Sequence, residues 1–308
     1  MIFEHKPIMP TECIEGLNIK KDGIYVDATL GGGGHSSLIA AALSEKGTLI
    51  GIDRDCEAIE AAKKVLEPFK CKKIFVHSNY SEIKDILNGI KVDGILADLG
   101  VSSYQFDNPE RGFSYRFDSP LDMRMDQSQE FSAMNVVNEY SADELTRILR
   151  EYGEEKFART IALNIVRKRE DKPIETTFEL VDIINSSMPA KIAFKGPHKA
   201  RKTFQAIRIE VNRELELLKQ SAQDFFDSLA PGGRLAVITF HSLEDRIIKN
   251  LYKDMAAGCI CPKEFPVCMC NNQPKGTIIT RKPLTACEKE LEENSRSTCA
   301  KLRIIEKI

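Results

Sequence analysis

The sequence predicts an α/β chain: a doubly wound parallel sheet interrupted by a helical insertion. Three observations carry this. Short, nearly continuous apolar runs alternate with helical patterns through the first third of the chain; the alternation stops near Asn108; an equally apolar run returns at Gly233–Phe240. Strands apolar on both faces belong to a parallel sheet covered by helices on either side.

Ile24–Ala28 reads as the first strand, and a helical segment from about His35 to Ser44 follows it. Thr48–Asp53 is the second strand, followed by an Ala-rich amphipathic helix over Cys56–Leu66. Lys73–His77 and Val92–Asp98 repeat the theme, with a helical stretch around Tyr80–Leu87 between them. From about Asn108 a loop rich in Asp, Arg, Gly and Ser runs to about Ser132, and helical patterns follow at Ala142–Tyr152, Glu154–Arg169 and Thr177–Ser187. A long helix from about Thr203 to Leu229 leads to the stop-and-turn signal Pro231-Gly232-Gly233 and the strand beyond it. A Cys-rich loop, Cys259–Cys270, precedes a last strand at Ala300–Ile305. The expected division is therefore a core made of residues 1–108 and 203–308, with a mostly helical insertion over 109–202.

With 308 residues the chain is large enough for a domain plus an insertion. Its 44 Lys+Arg nearly balance 46 Asp+Glu, and 42% hydrophobic with 29% charged residues excludes disorder and disulfide-scaffold classes. No stretch approaches the roughly 18 apolar residues of a transmembrane helix, and the residues before Pro7 lack a secretory signal's regions. Nine cysteines is an odd count, and Cys13, Cys56 and Cys71 are scattered as suits a reduced compartment, so a cytoplasmic protein is expected.

Asp27-Ala28-Thr29-Leu30-Gly31-Gly32-Gly33-Gly34-His35 joins the first strand to the first helix. Glycines there let backbone approach a ligand, and a helix N-terminus offers unpaired N–H donors. Asp53 ends the second strand, where an acid accepts hydrogen bonds from ribose hydroxyls. A dinucleotide fingerprint needs a third glycine where this chain has Ser36 or Ser37, which argues against NAD. An acid on the first strand with glycines directly after resembles the first motif of S-adenosylmethionine-dependent methyltransferases. Asp98, in Asp98-Leu99-Gly100-Val101-Ser102-Ser103, lies at the carboxyl end of the fourth strand, beside the crevice where open α/β sheets bind ligands. The D/N/S-P-P-Y/F motif usual in DNA amino-methylating enzymes is absent at that point.

Further blocks sharpen the resemblance. The Asp98–Ser103 run, Gln105, Glu110–Ser114 and Pro120–Asp126 are followed by Tyr152–Ala158, Thr203–Ile209, Val211-Asn212 and Phe240–Arg246. Together they resemble the RsmH/MraW family of bacterial methyltransferases, essentially across the whole chain. The resemblance implies a Rossmann-like S-adenosylmethionine-dependent methyltransferase fold, and a methyl transfer to N4 of a cytidine in the decoding centre of small-subunit (16S) ribosomal RNA. It implies the small-subunit RNA, or the assembling small ribosomal subunit, as partner. It also implies that Gly33, Gly34, His35, Asp53, Tyr80, Asp98 and Gln105 contact S-adenosylmethionine. Asp98 is the leading candidate to accept a hydrogen bond from the amine. His241, in the loop after the fifth strand, is a second catalytic candidate, able to hold base or phosphate; a structural histidine is the plain alternative.

Two clusters lie outside that set. From Lys191 to Arg213 there are seven basic residues against the single acid Glu210, a local excess suited to phosphate backbones or to a solvated helix face. Cys259, Cys261, Cys268 and Cys270 form two C-x-C units, which either enclose tetrahedral zinc or are reduced surface thiols. Two rival functions remain open from sequence. A small-molecule methyltransferase needs no basic stretch, and a ribosome-binding module without catalysis would tolerate loss of Gly33, Asp53 or Asp98, all of which are present.

Overall fold

The structure is a computed structural model that describes residues 7–101, 106, 108–189, 199–262 and 268–308. The chain divides into two compact units, Met1–Gly100 with Leu215–Ile308, and Val101–Glu214. The borders therefore fall at Gly100 and Glu214, not at residues 108 and 202.

The first unit is built on a seven-stranded sheet of order β3-β2-β1-β4-β5-β7-β6. Its strands are β1 (Ile24–Asp27), β2 (Thr48–Asp53), β3 (Lys72–His77), β4 (Val92–Asp98), β5 (Leu229–Thr239), β6 (Gly276–Ile278) and β7 (Lys301–Lys307). β1 to β5 pair in parallel, while β7 runs antiparallel between β5 and β6. This is the Rossmann-like methyltransferase arrangement, with a reversed last strand slotted in beside β5. Alternate residues explain why the strands read as continuous apolar runs. Val26, Ile95, Ala97, Leu235 and Val237 bury into one face with Phe225 and Tyr252, and Tyr25, Leu96, Ala236 and Ile238 bury into the other with Ile39 and Ile59. Both faces are covered, so neither shows polar alternation.

Several elements depart from expectation. A short helix, Pro10–Leu17, precedes β1; proline at its first positions costs no hydrogen bond there, and it buries Cys13 and Leu17. β6 has too few residues to carry a period. The long helix expected over Thr203–Leu229 is two helices, Ala200–Asn212 and Glu214–Ser228, separated by Arg213 at φ 51. The Arg213 amide caps the first by donating to the carbonyls of Ile209 and Glu210. Apolar periodicity runs straight through this break, so the pattern hides it.

The second unit packs the helices Ala133–Glu139, Ala142–Glu151, Ala158–Asp171, Thr177–Ser186 and Ala200–Asn212 around one apolar core. Reciprocal capping boxes open three of them, Ser132 with Asn135, Ser141 with Glu144 and Thr176 with Glu179. The helix expected from Glu154 starts at Ala158, because Glu154 takes a left-handed turn at φ 47. The Asn108–Ser132 loop has little regular structure yet is ordered from inside: Phe113, Leu121, Met123 and Met125 are buried. Asn212 fixes it, its side chain accepting from the Met125 amide at 2.8 Å and donating to the Met123 carbonyl at 2.8 Å. Among the described residues no helix is long and apolar enough to cross a membrane.

Candidate active site

The glycine turn sits at the carboxyl end of β1 and is pinned from below. Asp27, 1% exposed, accepts from the Ser36 hydroxyl at 2.7 Å and from the Thr29 amide at 3.2 Å. Burial raises its carboxyl above the ordinary carboxylate value, against those bonds. Asp27 therefore shapes the turn from the interior and leaves the ligand face to others. Gly33, at φ 85, caps the helix Gly34–Ala42; a Cβ on it would lie 3.2 Å from Ala62 Cα, so glycine is required for backbone and packing alike. A Cβ on Gly32 would meet nothing within 4 Å, so the loop crest faces open space.

Asp53, ending β2, is tied to this loop. Its Oδ2 accepts from the Gly31 amide at 2.8 Å and its Oδ1 from the Asp55 amide at 2.9 Å. Each carboxylate oxygen keeps a further lone pair, so the geometry leaves room for two hydroxyl donors. Burial raises its carboxyl, the two amides opposing that rise. Tyr80 opens the turn after β3, half-buried, with its ring 5.9 Å from Phe225 at 56°. It follows His77, the register partner of Asp53, at the same end of the sheet.

Asp98 ends β4, and its amide donates to the Thr29 hydroxyl at 2.7 Å. Its side chain is 22% exposed; Oδ2 lies 3.6 Å from His35 Nδ1, while Oδ1 is buried with no partner among the described residues. Burial lifts this carboxyl to about 6; His35 opposes the rise, and Asp27 and Glu244 add to it. His35 is itself oriented: Nε2 is 2.8 Å from the Ile8 carbonyl, which only accepts, so Nε2 bears a proton and Nδ1 faces Asp98. The helix N-terminus thus delivers His35 to a carboxylate about sixty-three residues further along the chain, a pairing that sequence spacing does not disclose.

His241 caps the helix Ser242–Met255, its Nδ1 accepting from the Glu244 amide at 3.4 Å. Its Nε2 is 3.1 Å from Glu244 Oε1 but outside hydrogen-bond geometry. Glu244 in turn accepts from the Phe240 amide at 2.8 Å and the His241 amide at 3.3 Å. Phe240 packs at Gly100, so His241 follows the strand end next to that of Asp98. Glu244 was absent from the sequence-based candidates; the capping-box spacing of His241 and Glu244 was the signal available. Gln105 lies outside the described residues.

The sheet unit thus brings Gly33, Gly34, His35, Asp53, Tyr80 and Asp98 to one end, with a buried oxygen unpartnered among the described residues and an open glycine crest. The basic stretch is less uniform. Arg208 is held bidentate by Glu214, at 2.9 and 3.0 Å, and Lys202 Nζ donates to the Glu154 carbonyl at 2.8 Å. Lys191 and Lys195 lie outside the described residues. Arg208 is therefore part of the scaffold and is withdrawn from any phosphate-binding set.

Comparison with known proteins agrees over the full chain. The MraW methylase family matches residues 2–308. A protein named ribosomal RNA small subunit methyltransferase H from Clostridioides difficile is 53% identical over 311 residues, covering 100% of both chains. One named ribosomal RNA small subunit methyltransferase H 2 from Agathobacter rectalis is 54% identical, covering 100% of this chain and 99% of that one. A methyltransferase H from Clostridium botulinum is 54% identical over 100% of both. With site, strand order and full-length similarity in agreement, the chain belongs to the MraW methylase family.

Proposed function

We propose that this chain transfers a methyl group from S-adenosylmethionine to small-subunit ribosomal RNA, and that the acceptor is the exocyclic N4 of a cytidine in the decoding centre. Its full-length relatives are named for methylation of that RNA. The observation that carries the reading is Asp98: a buried carboxylate oxygen without a partner among the described residues, on a residue whose amide is bonded to Thr29 at the start of the glycine turn. An RNA substrate also places the activity in the cytoplasm.

S-adenosylmethionine supplies a methyl already activated on a sulfonium. The chain's residues supply position. Asp53 would accept the ribose hydroxyls through its remaining lone pairs, the Gly31–Gly34 backbone would allow close approach, and Tyr80 would pack beside the adenine. Cytosine N4 is a poor nucleophile because its lone pair is delocalised into the ring, so the base is extruded into the crevice. Asp98 Oδ1 accepts one N4–H, which orients the amine and favours its pyramidal form. Transfer exchanges the sulfonium S–CH3 bond for an N4–CH3 bond, so N4 must lose a proton, and the Asp98 carboxylate can take it, with His35 Nδ1 3.6 Å from its Oδ2. Alignment and exclusion of water provide most of the acceleration. His241 stands by the same strand ends as a base or phosphate contact.

The test is a map of methylated cytidines in small-subunit RNA with and without this protein, repeated with Asp98→Asn. Loss of one modified decoding-centre cytidine in both deficient samples supports the reading, and an unchanged map refutes it.

A further inference from the structure

The loop between the helix Ser242–Met255 and β6 carries four thiols that methyl transfer does not use. Cys259, Cys261, Cys268 and Cys270 bring all four Sγ atoms within 4.8 Å of one another. Sulfur separations are 3.6 Å for Cys268 and Cys270 and 3.8 Å for Cys270 and Cys259. A tetrahedron with Zn–S bonds of about 2.3 Å has sulfur–sulfur edges of about 3.8 Å. These are the spacings of ligands around one small cation, and none of the four is in a disulfide.

Backbone donors converge on the same point. The Ile260 and Asn272 amides donate to Cys270 Sγ at 3.3 and 3.5 Å, and the Met269 amide donates to Cys261 Sγ at 3.2 Å. Neutral thiols are weak acceptors, whereas charge strengthens an N–H bond, so amides aimed at sulfur suit thiolates. The Asn272 side chain closes the base of the loop, donating to the Ala257 and Gly258 carbonyls at 2.9 and 2.7 Å. Apolar burial does not gather these sulfurs: the residues between them, Ile260 and Met269, are 66% and 73% exposed.

We propose that Cys259, Cys261, Cys268 and Cys270 bind one zinc ion in a closed, structural four-thiolate site that fixes this loop. Four sulfur ligands without an oxygen or open position select zinc over hard cations and leave no site for a reacting water. Binding releases the thiol protons and supplies the order that exposed residues cannot obtain from a core.

The experiment uses the full wild-type chain purified under reducing conditions without chelator and then incubated with zinc. Elemental analysis should give about one zinc per chain, and chelation should add about four reactive thiols to the native protein. Cobalt in place of zinc should give the intense visible bands and sulfur charge-transfer absorption of tetrahedral thiolate coordination. The paired variant Cys259→Ser with Cys268→Ser should lose the metal. Metal-free protein after zinc incubation, iron in place of zinc, or a weak octahedral cobalt spectrum would each overturn the proposal. These readings on the wild-type chain need no activity, so they stand whether or not the methyl-transfer reading survives.

Discussion

Replacing Asp98 with Asn keeps the shape of the side chain and removes its charge, which separates what the carboxylate does for function from what it does to stability. Burial holds this carboxyl at about 6 in the folded chain, against an ordinary 3.8. An acid whose folded pKa is the higher one binds its proton more tightly when folded. Its favourable contribution is full below pH 3.8 and is lost as pH rises through 6. The gap corresponds to about 3 kcal/mol by pH 7, with about half of it already lost at pH 5. The Asp98→Asn variant has no such dependence, so it should be the more stable protein near neutrality by about 3 kcal/mol, converging on wild type near pH 4. Urea unfolding of both proteins at several pH values reads this, since titrating groups not coupled to Asp98 cancel in the difference. Methyl transfer should fall sharply in the same variant. A difference in stability that stays flat from pH 4 to 7 would refute a buried, proton-retaining Asp98.

Asp53→Ala should weaken S-adenosylmethionine binding by about 1.5–3 kcal/mol in calorimetry, the scale for hydrogen bonds to a charged group. Gly33→Ala combines a positive φ with the close approach to Ala62 and should cost about 1–3 kcal/mol of stability, seen as a lowered Tm. Arg208→Ala leaves Glu214, whose side chain is 6% exposed, without its partner; about 3–5 kcal/mol should be lost in denaturant titration, with no special effect on RNA. Replacing Lys199, Arg201 and Lys202 together with Ala should flatten the log–log salt slope of RNA binding by about two and leave cofactor affinity unchanged. An unaltered slope would assign these charges to a solvated face.

What the sequence disclosed, and what it concealed, follow from the range of each interaction. β1, β2, β4 and β5 were legible because burial on both faces writes an unbroken apolar run into the chain; the edge strand β3, with no fully buried residue, was legible only from the short Ile74-Phe75-Val76 run. The places of Asp53 and Asp98 at the ends of β2 and β4 were legible because each closes such a run. Concealed features depend on contacts between distant segments or on single backbone angles. Asp98 meets His35 through the fold, and the Ile8 carbonyl that sets the histidine's tautomer belongs to a segment with no visible pattern. The break at Arg213 is one left-handed residue within a continuous period. The basic stretch read as uniform charge, yet Arg208 is committed to Glu214, whose role appears only once the two helices part.

β7 gives the molecule a schedule. It lies in the body of the sheet, hydrogen-bonded to β5 on one side and β6 on the other, although its residues are 301–307. Val101–Glu214 is contiguous and has its own core, so it can mature while the residues after it are still being translated. The sheet cannot. Until residues 301–307 arrive, the Arg234–Thr239 edge of β5 has unpaired amides and carbonyls, and Ala236 and Ile238 lack Leu302 and Ile304. Nascent chains therefore pass through a stage with a finished insertion and an open, adhesive sheet edge, which is where aggregation competes with folding. A chain stopped before residue 301 would keep that edge open.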